Sequence, residues 1–234
     1  MKSPRELRVQ LDAGATTSAL VYPATTSLDA VLILGHGAGA GQLSPFMVEF
    51  ARDLSELGID TVTFNFPYTE QHRRLPDRGP VLTRCYRAVT KAIRQQVVTA
   101  RQALFIGGKS MGGRIATELV AADRDVEVEG LVLLGYPLHP PGRPEQRRDR
   151  HLPAVGHPML VVQGTRDTFG TPDELSSVFG TLAPPATLHT VNGGDHSFRV
   201  SGKDPERQKA VYEEIQRAIV TWIRETTRDH SSVR

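Results

Sequence analysis

Ser110, Asp167 and His196 are the residues whose types and order could do chemistry in this chain. A serine hydroxyl at its free pKa is a poor nucleophile. It needs a base to take its proton, and the base needs an acid to orient it. Ser110 lies in Gly108-Lys109-Ser110-Met111-Gly112, after the apolar run Ala103-Leu104-Phe105-Ile106 and ahead of a helical pattern. That context is a strand, a sharp turn and a helix, the arrangement that exposes a serine with its backbone strained. The flanking glycines are expected because side chains there would collide with strand and helix.

Asp167 and His196 follow in the order this chemistry requires, each on a loop just beyond an expected strand. Parallel sheets collect their sites at such strand ends. Asp173 is a rival acid, but it belongs to a helix start and is expected to cap it. Asp195 adjoins His196 and is expected to hold the loop. His72, His139, His151, His157 and His189 lack a strand-end context. The oxyanion formed in acyl transfer needs preplaced donors. The backbone N–H of Met111 is one candidate. The other is Ala38, in the loop Gly35-His36-Gly37-Ala38-Gly39-Ala40-Gly41, where the His36 side chain is expected to brace the backbone.

The elements that must position these residues are legible as alternating patterns. Half-exposed strands are expected at 7–11 and 19–22, then strands at 30–34, 61–64, 103–106, 131–134, 159–162 and 188–191. Between them run apolar stripes at helical spacing. Phe46 to Leu57 is introduced by Ser44-Pro45 and stopped by Gly58; Leu82 to Val97, the segment after Ser110, Pro172 to Leu182, and Val211 to Trp222 are the others. The alternation predicts an α/β fold: a mostly parallel sheet covered by helices on both faces, with an antiparallel N-terminal edge. One domain over 1–225 is expected, and a frayed polar tail over 226–234. Tyr136 to Pro158 breaks the rhythm with six prolines and with Arg143, Arg147, Arg148 and Arg150; a short helix is expected over 145–150. Connections this long are uncommon unless they serve a function.

A chain of 234 residues, 39% hydrophobic and 23% charged, suits one ordinary globular domain. Its net charge of +2 gives no argument for nucleic acid. Cys85 is alone, which excludes an internal disulfide and a cysteine metal cluster; it is expected as a buried helix residue. The N-terminus lacks a secretory h-region, and no segment is long and apolar enough to span a bilayer, so the cytoplasm is the expected compartment. Two phosphate motifs fail. Gly108-Lys109-Ser110 would need a glycine where Ala103 stands, and Gly35-x-Gly37-x-x-Ala40 is followed by a helix that starts too late, at Pro45.

Five segments together resemble a small alpha/beta-hydrolase family: Gly35-His36-Gly37-Ala38-Gly39, Gly108-Lys109-Ser110-Met111-Gly112-Gly113-Arg114, Gly135-Tyr136-Pro137-Leu138, Gly164-Thr165-Arg166-Asp167 and Gly193-Gly194-Asp195-His196-Ser197. That family is related to the dienelactone hydrolases and includes testis-expressed and non-specific-lethal-complex proteins. The resemblance implies a fold with little or no lid and Ser110, Asp167 and His196 as a triad. Dienelactone hydrolases use a cysteine nucleophile, so Ser110 departs from that branch. The expected activity is a serine hydrolase, a carboxylesterase on small accessible esters, working without cofactor or metal. A peptidase or amidase would use the same groups. A catalytically idle interaction module would share the fold. Lys109, Asn65, Tyr68 and Tyr136 are expected near strand ends, where they could line a cleft, and the arginines over 143–150 could attract an acidic acyl group.

Overall fold

A computed structural model describes residues 3–202 and 204–232. Eight strands form one sheet in the order β1-β2-β4-β3-β5-β6-β7-β8. They are β1 (Arg5–Gln10), β2 (Thr16–Tyr22), β3 (Ala30–Gly35), β4 (Asp60–Phe64), β5 (Ala103–Lys109), β6 (Gly130–Leu134), β7 (Met159–Gly164) and β8 (Thr187–Val191). From β4 to β8 every pairing is parallel; β1 and β2 pair antiparallel at the edge. The expected fold class is therefore the observed one.

The strands of the sheet interior are apolar throughout because both faces are covered. Side chains alternate between two cores. Val31, Ile33, Leu104, Ile106, Leu131 and Leu133 point to one, shared with α3 (Gly79–Gln96), α4 (Met111–Ala122) and α5 (Pro172–Phe179). Leu32, Leu34, Phe105, Val132, Leu160 and Val162 point to the other, under α1 (Pro45–Glu56) and α6 (Pro205–Ser232). Between β4 and α3 lies the single turn α2 (Pro67–Glu70).

The strand order matters for the site. From β3 the chain steps to β4 on one side, then crosses to β5 on the other. The crevice beyond the carboxyl ends of β3 and β5 is where connections diverge and ligands bind in open α/β sheets. The loop after β3 and the turn after β5 are the two carrying Ala38 and Ser110.

Several local expectations are corrected. No helix forms over 145–150, where the run Glu145-Gln146-Arg147-Arg148-Asp149-Arg150 has no apolar face to bury; the regular structure instead is a 3-10 turn at Leu152–Ala154. Helix α5 ends at Phe179, where Gly180 follows, rather than at Leu182. Its cap is not Asp173 but Thr171, whose Oγ1 accepts from the Glu174 N–H while Glu174 accepts from the Thr171 N–H. Asp173 occupies the first turn, where a negative charge complements the helix dipole. Helix α6 runs to Ser232, past the residue at which the tail was expected to begin; 233–234 lie outside the described residues. Cys85 is buried in α3, as expected, and burial raises its thiol pKa far above the ordinary value.

Candidate active site

The turn after β5 is set by what surrounds it. Ser110 has φ 50° and ψ −113°, a conformation that costs a non-glycine residue about 1–3 kcal/mol. Two glycines let the turn lie against β3. A Cβ at Gly108 (φ +148°) would stand 2.2 Å from the Gly35 carbonyl oxygen, and one at Gly112 would stand 2.1 Å from it. The strand, the turn and helix α4 thus close on β3 with no room for a side chain. Ser110 N–H donates to Leu134 O (2.9 Å) of the neighbouring strand, which fixes the turn from its other flank.

The structure brings the three distant side chains together. Ser110 Oγ lies 2.8 Å from His196 Nε2, and His196 Nδ1 lies 2.7 Å from Asp167 Oδ2. A carboxylate can only accept, so Nδ1 carries the hydrogen and Nε2 is free to accept from the serine hydroxyl. Asp167 is 1% exposed and fully occupied. Its Oδ2 also accepts from Gln163 Nε2 (2.8 Å), and its Oδ1 from the Phe169 N–H (2.8 Å). A buried carboxylate needs such donors to stay unstrained electrostatically. The imidazole stacks on Phe169, with ring centroids 4.2 Å apart.

Lys109 supports the same imidazole from below. Its Nζ donates to the His196 carbonyl oxygen and lies 5.3 Å from the centre of the Phe198 ring. Burial pulls its pKa down to about 8, against the opposing pull of Asp167 and Asp195. The Asp195 side chain holds the loop as expected: Oδ1 accepts from the N–H groups of Ser197 (2.7 Å) and Arg199 (2.9 Å). His36 braces the loop after β3. Its Nε2 accepts from the Phe66 N–H (3.2 Å), which leaves Nδ1 to donate to Gly37 O (2.8 Å), the pattern of a neutral ring; burial lowers its pKa in the same sense.

Ser110 and His196 open onto a cleft of about 730 Å³, which Ala38, Met111 and Lys109 also line. Met111 is the first residue of α4, so its N–H has no acceptor within the helix. Among the described residues, the Ala38 N–H has no protein acceptor either. Of the other expected lining residues, Asn65 bonds to Glu70 Oε1 (2.9 Å) away from the cleft, Tyr68 is buried in the core, and the Tyr136 hydroxyl donates to Arg148 O (2.6 Å). From the arginine-rich connection, Arg148 reaches the cleft.

Gln163, Phe169, Phe198 and Arg114 escaped the sequence reading. Gln163 lies in β7, 0% exposed, and its amide ties Asp167 to Gly170 O (2.7 Å) and to the Tyr136 N–H (2.8 Å). An amide among Leu160, Val161 and Val162 in a buried strand was the available signal, because a polar group there must find partners.

The sequence profile of the alpha/beta hydrolase domain matches residues 28–224. Among solved structures, the chain is similar to a serine hydrolase without a lid from Xanthomonas campestris, with 22% identity and a TM-score of 0.71 over 95% of this chain and 96% of that one. It is also similar to an alpha-beta serine hydrolase homologue from Coxiella burnetii: 17% identity, TM-score 0.71, covering 94% and 98%. A dienelactone hydrolase from Anabaena variabilis matches with 20% identity and a TM-score of 0.70, covering 92% and 97%. At these identities the structures speak for the fold, and the profile match over most of the chain speaks for descent. This protein belongs to the alpha/beta hydrolase family, as a small member with little or no lid.

Proposed function

We propose that this protein is a serine hydrolase that cleaves small, accessible carboxylic esters through an acyl-enzyme, with Ser110, His196 and Asp167 as its triad. The observation that carries the reading is the unbroken relay from Ser110 Oγ to His196 (2.8 Å) to Asp167 (2.7 Å), at the floor of an open cleft. Nothing in the packing of the fold needs a strained serine, a half-buried imidazole and a buried carboxylate in line. A nucleophile with its base and orienting acid does need them.

In this reading Ser110 Oγ attacks the ester carbonyl carbon as its proton passes to His196 Nε2. Asp167 holds the other ring nitrogen and stabilises the imidazolium that forms. The carbonyl oxygen becomes an oxyanion, accepted by the N–H groups of Met111 and Ala38. Preplaced backbone donors of this kind stabilise the transition state without reorganising. The tetrahedral intermediate expels the alcohol, which takes the proton from His196. Water then attacks the acyl-enzyme, with His196 again the base, and releases the acid and Ser110. No cofactor or metal enters these steps.

The β6–β7 connection adds no helical cover over the cleft. An open site favours short acyl groups, because a long chain would lie half in water and gain little from burial. The test is labelling of the intact chain by a fluorophosphonate, read by peptide mass, with turnover of acetyl to decanoyl esters alongside. An adduct on Ser110, preference for short acyl groups, and a loss of about 10⁴-fold or more in Ser110→Ala are expected. No adduct and no turnover would leave the interaction-module reading standing instead.

A further inference from the structure

The cleft is lined from both faces of the sheet, with Ser110 in its lining, and the two sides differ. Over the face covered by α1 and α6 it is lined by Phe46, Met47, Glu49 and Tyr212, with Arg199 at the rim. Over the face covered by α3 and α4 it is lined by Leu82, Met111, Arg114, Pro137 and Arg148, with Pro76 and Asp77 at the rim. The second half carries the unbalanced charge.

Arg114 stands one turn after the nucleophile, its N–H donating to Ser110 O (3.1 Å), so the two side chains leave the same face of the chain. It pairs with Glu118, while its Nε is buried without an acceptor. Arg148 is anchored by its backbone: its N–H donates to Leu138 O (2.8 Å), and its carbonyl accepts from the buried Tyr136 hydroxyl (2.6 Å). Its guanidinium is half-buried and, among the described residues, has neither an ion pair nor a hydrogen bond. Burial and then the neighbouring Arg114 charge both push its pKa down, so the two cations feel one another. Asp77, which also lines the cleft, is balanced by Arg73, 2.6 Å from its Oδ1, while its Oδ2 is buried without a hydrogen-bond partner. Elsewhere Arg73, Arg87 and Arg147 each sit within 2.6 Å of a carboxylate. Two guanidiniums sharing Glu118 leave a net positive charge beside the nucleophile.

We propose that this half of the cleft is an anion subsite, in which Arg148 hydrogen-bonds a free carboxylate on the ester substrate and Arg114 adds its field. The substrate class is thereby a half-ester of a short dicarboxylic acid. Arginine suits that group because its planar fork matches a carboxylate. The inference rests on the hydrolase reading above and narrows it.

The test compares monoethyl with diethyl esters of succinic, glutaric and adipic acids, followed by titration of released acid with the full-length chain. The charged monoester is expected to be preferred in kcat/KM by about tenfold or more for at least one chain length. Arg148→Gln should bring that ratio close to one, Arg148→Lys should restore part of it, and Arg114→Gln should lower it. Arg147→Gln, on the side chain already paired with Asp149, should keep it. Equal or better turnover of the diesters by the wild-type chain overturns the subsite and leaves the hydrolase standing; so does an unchanged ratio in Arg148→Gln. Absence of turnover with every ester and no fluorophosphonate adduct on Ser110 sinks both.

Discussion

The turn that presents Ser110 and the loop that presents His196 are held by opposite means. The serine turn is fixed by backbone: Gly108 and Gly112 bring it within van der Waals contact of Gly35, and Leu134 O takes its N–H. The histidine loop is fixed by side chains. Asp167 binds the ring, Phe169 stacks on it, Lys109 holds its carbonyl, and Asp195 closes the turn. Backbone packing tolerates no added atom but places a group rigidly. Side-chain contacts can be removed one at a time without loss of the fold. The first device should therefore fail as stability and the second as activity.

The largest expected effect breaks the second device alone. Asp167→Asn keeps the shape but gives His196 Nδ1 a choice between donor and acceptor, so the tautomer with Nε2 free is no longer enforced. On the proposed mechanism kcat falls by about 10⁴-fold, on the order of 5 kcal/mol. The melting temperature should fall little, since the asparagine keeps the size of the carboxylate and its carbonyl oxygen can still accept from a neighbouring donor. A variant that loses its fold instead of its turnover would show the carboxylate to be structural.

Next in size is the backbone device. Gly112→Ala forces a Cβ to within 2.1 Å of the Gly35 oxygen, where strand and helix must part. Overpacking of a rigid contact costs about 1–3 kcal/mol and occasionally more; with backbone on both sides we expect the upper end, about 3 kcal/mol. Gly193→Ala in the histidine loop is the comparison. There φ is +70° but no atom lies within 4 Å of the added Cβ, so the cost is conformational, about 1 kcal/mol. Urea titration of the two variants should rank them in that order. Equal losses would mean that the close approach at Gly112 is absorbed by a small shift.

The same contrast explains what could be read without coordinates. The sheet and its helices were legible because burial on both faces writes continuous apolar runs such as 30–34 and 103–106, and the serine turn was legible because its glycines lie within five residues. Asp167 and His196 were found through their place after strands. Their supports are not legible in sequence order, because Phe169 stacks on the imidazole across 27 residues of chain, Lys109 reaches the His196 carbonyl across 87, and Gln163 acts on the ring only through Asp167. Arg114 lies within the serine motif, but nothing local marks a guanidinium as facing a second one 34 residues on. The missing helix over 145–150 has a local cause: Pro144 and a run of charges offer no apolar face to bury.

Lys109 sharpens the comparison, because it belongs to the backbone device and serves the side-chain one. Its ammonium is pulled down to about 8 from the ordinary 10.5. Between those values the unfolded chain binds the proton that the folded chain has lost. Stability should therefore rise with pH across that window relative to a variant without the group. Activity should move the other way, since a neutral amine donates more weakly to the His196 carbonyl than an ammonium does. In Lys109→Met the rise in relative stability should vanish and turnover should fall about tenfold at neutral pH, roughly 1.4 kcal/mol. Denaturant titrations of both proteins at several pH values between 8 and 10.5 cancel the other alkaline groups in the difference. Parallel curves would show that Lys109 keeps its proton, and that the histidine loop is held by a charge throughout this range.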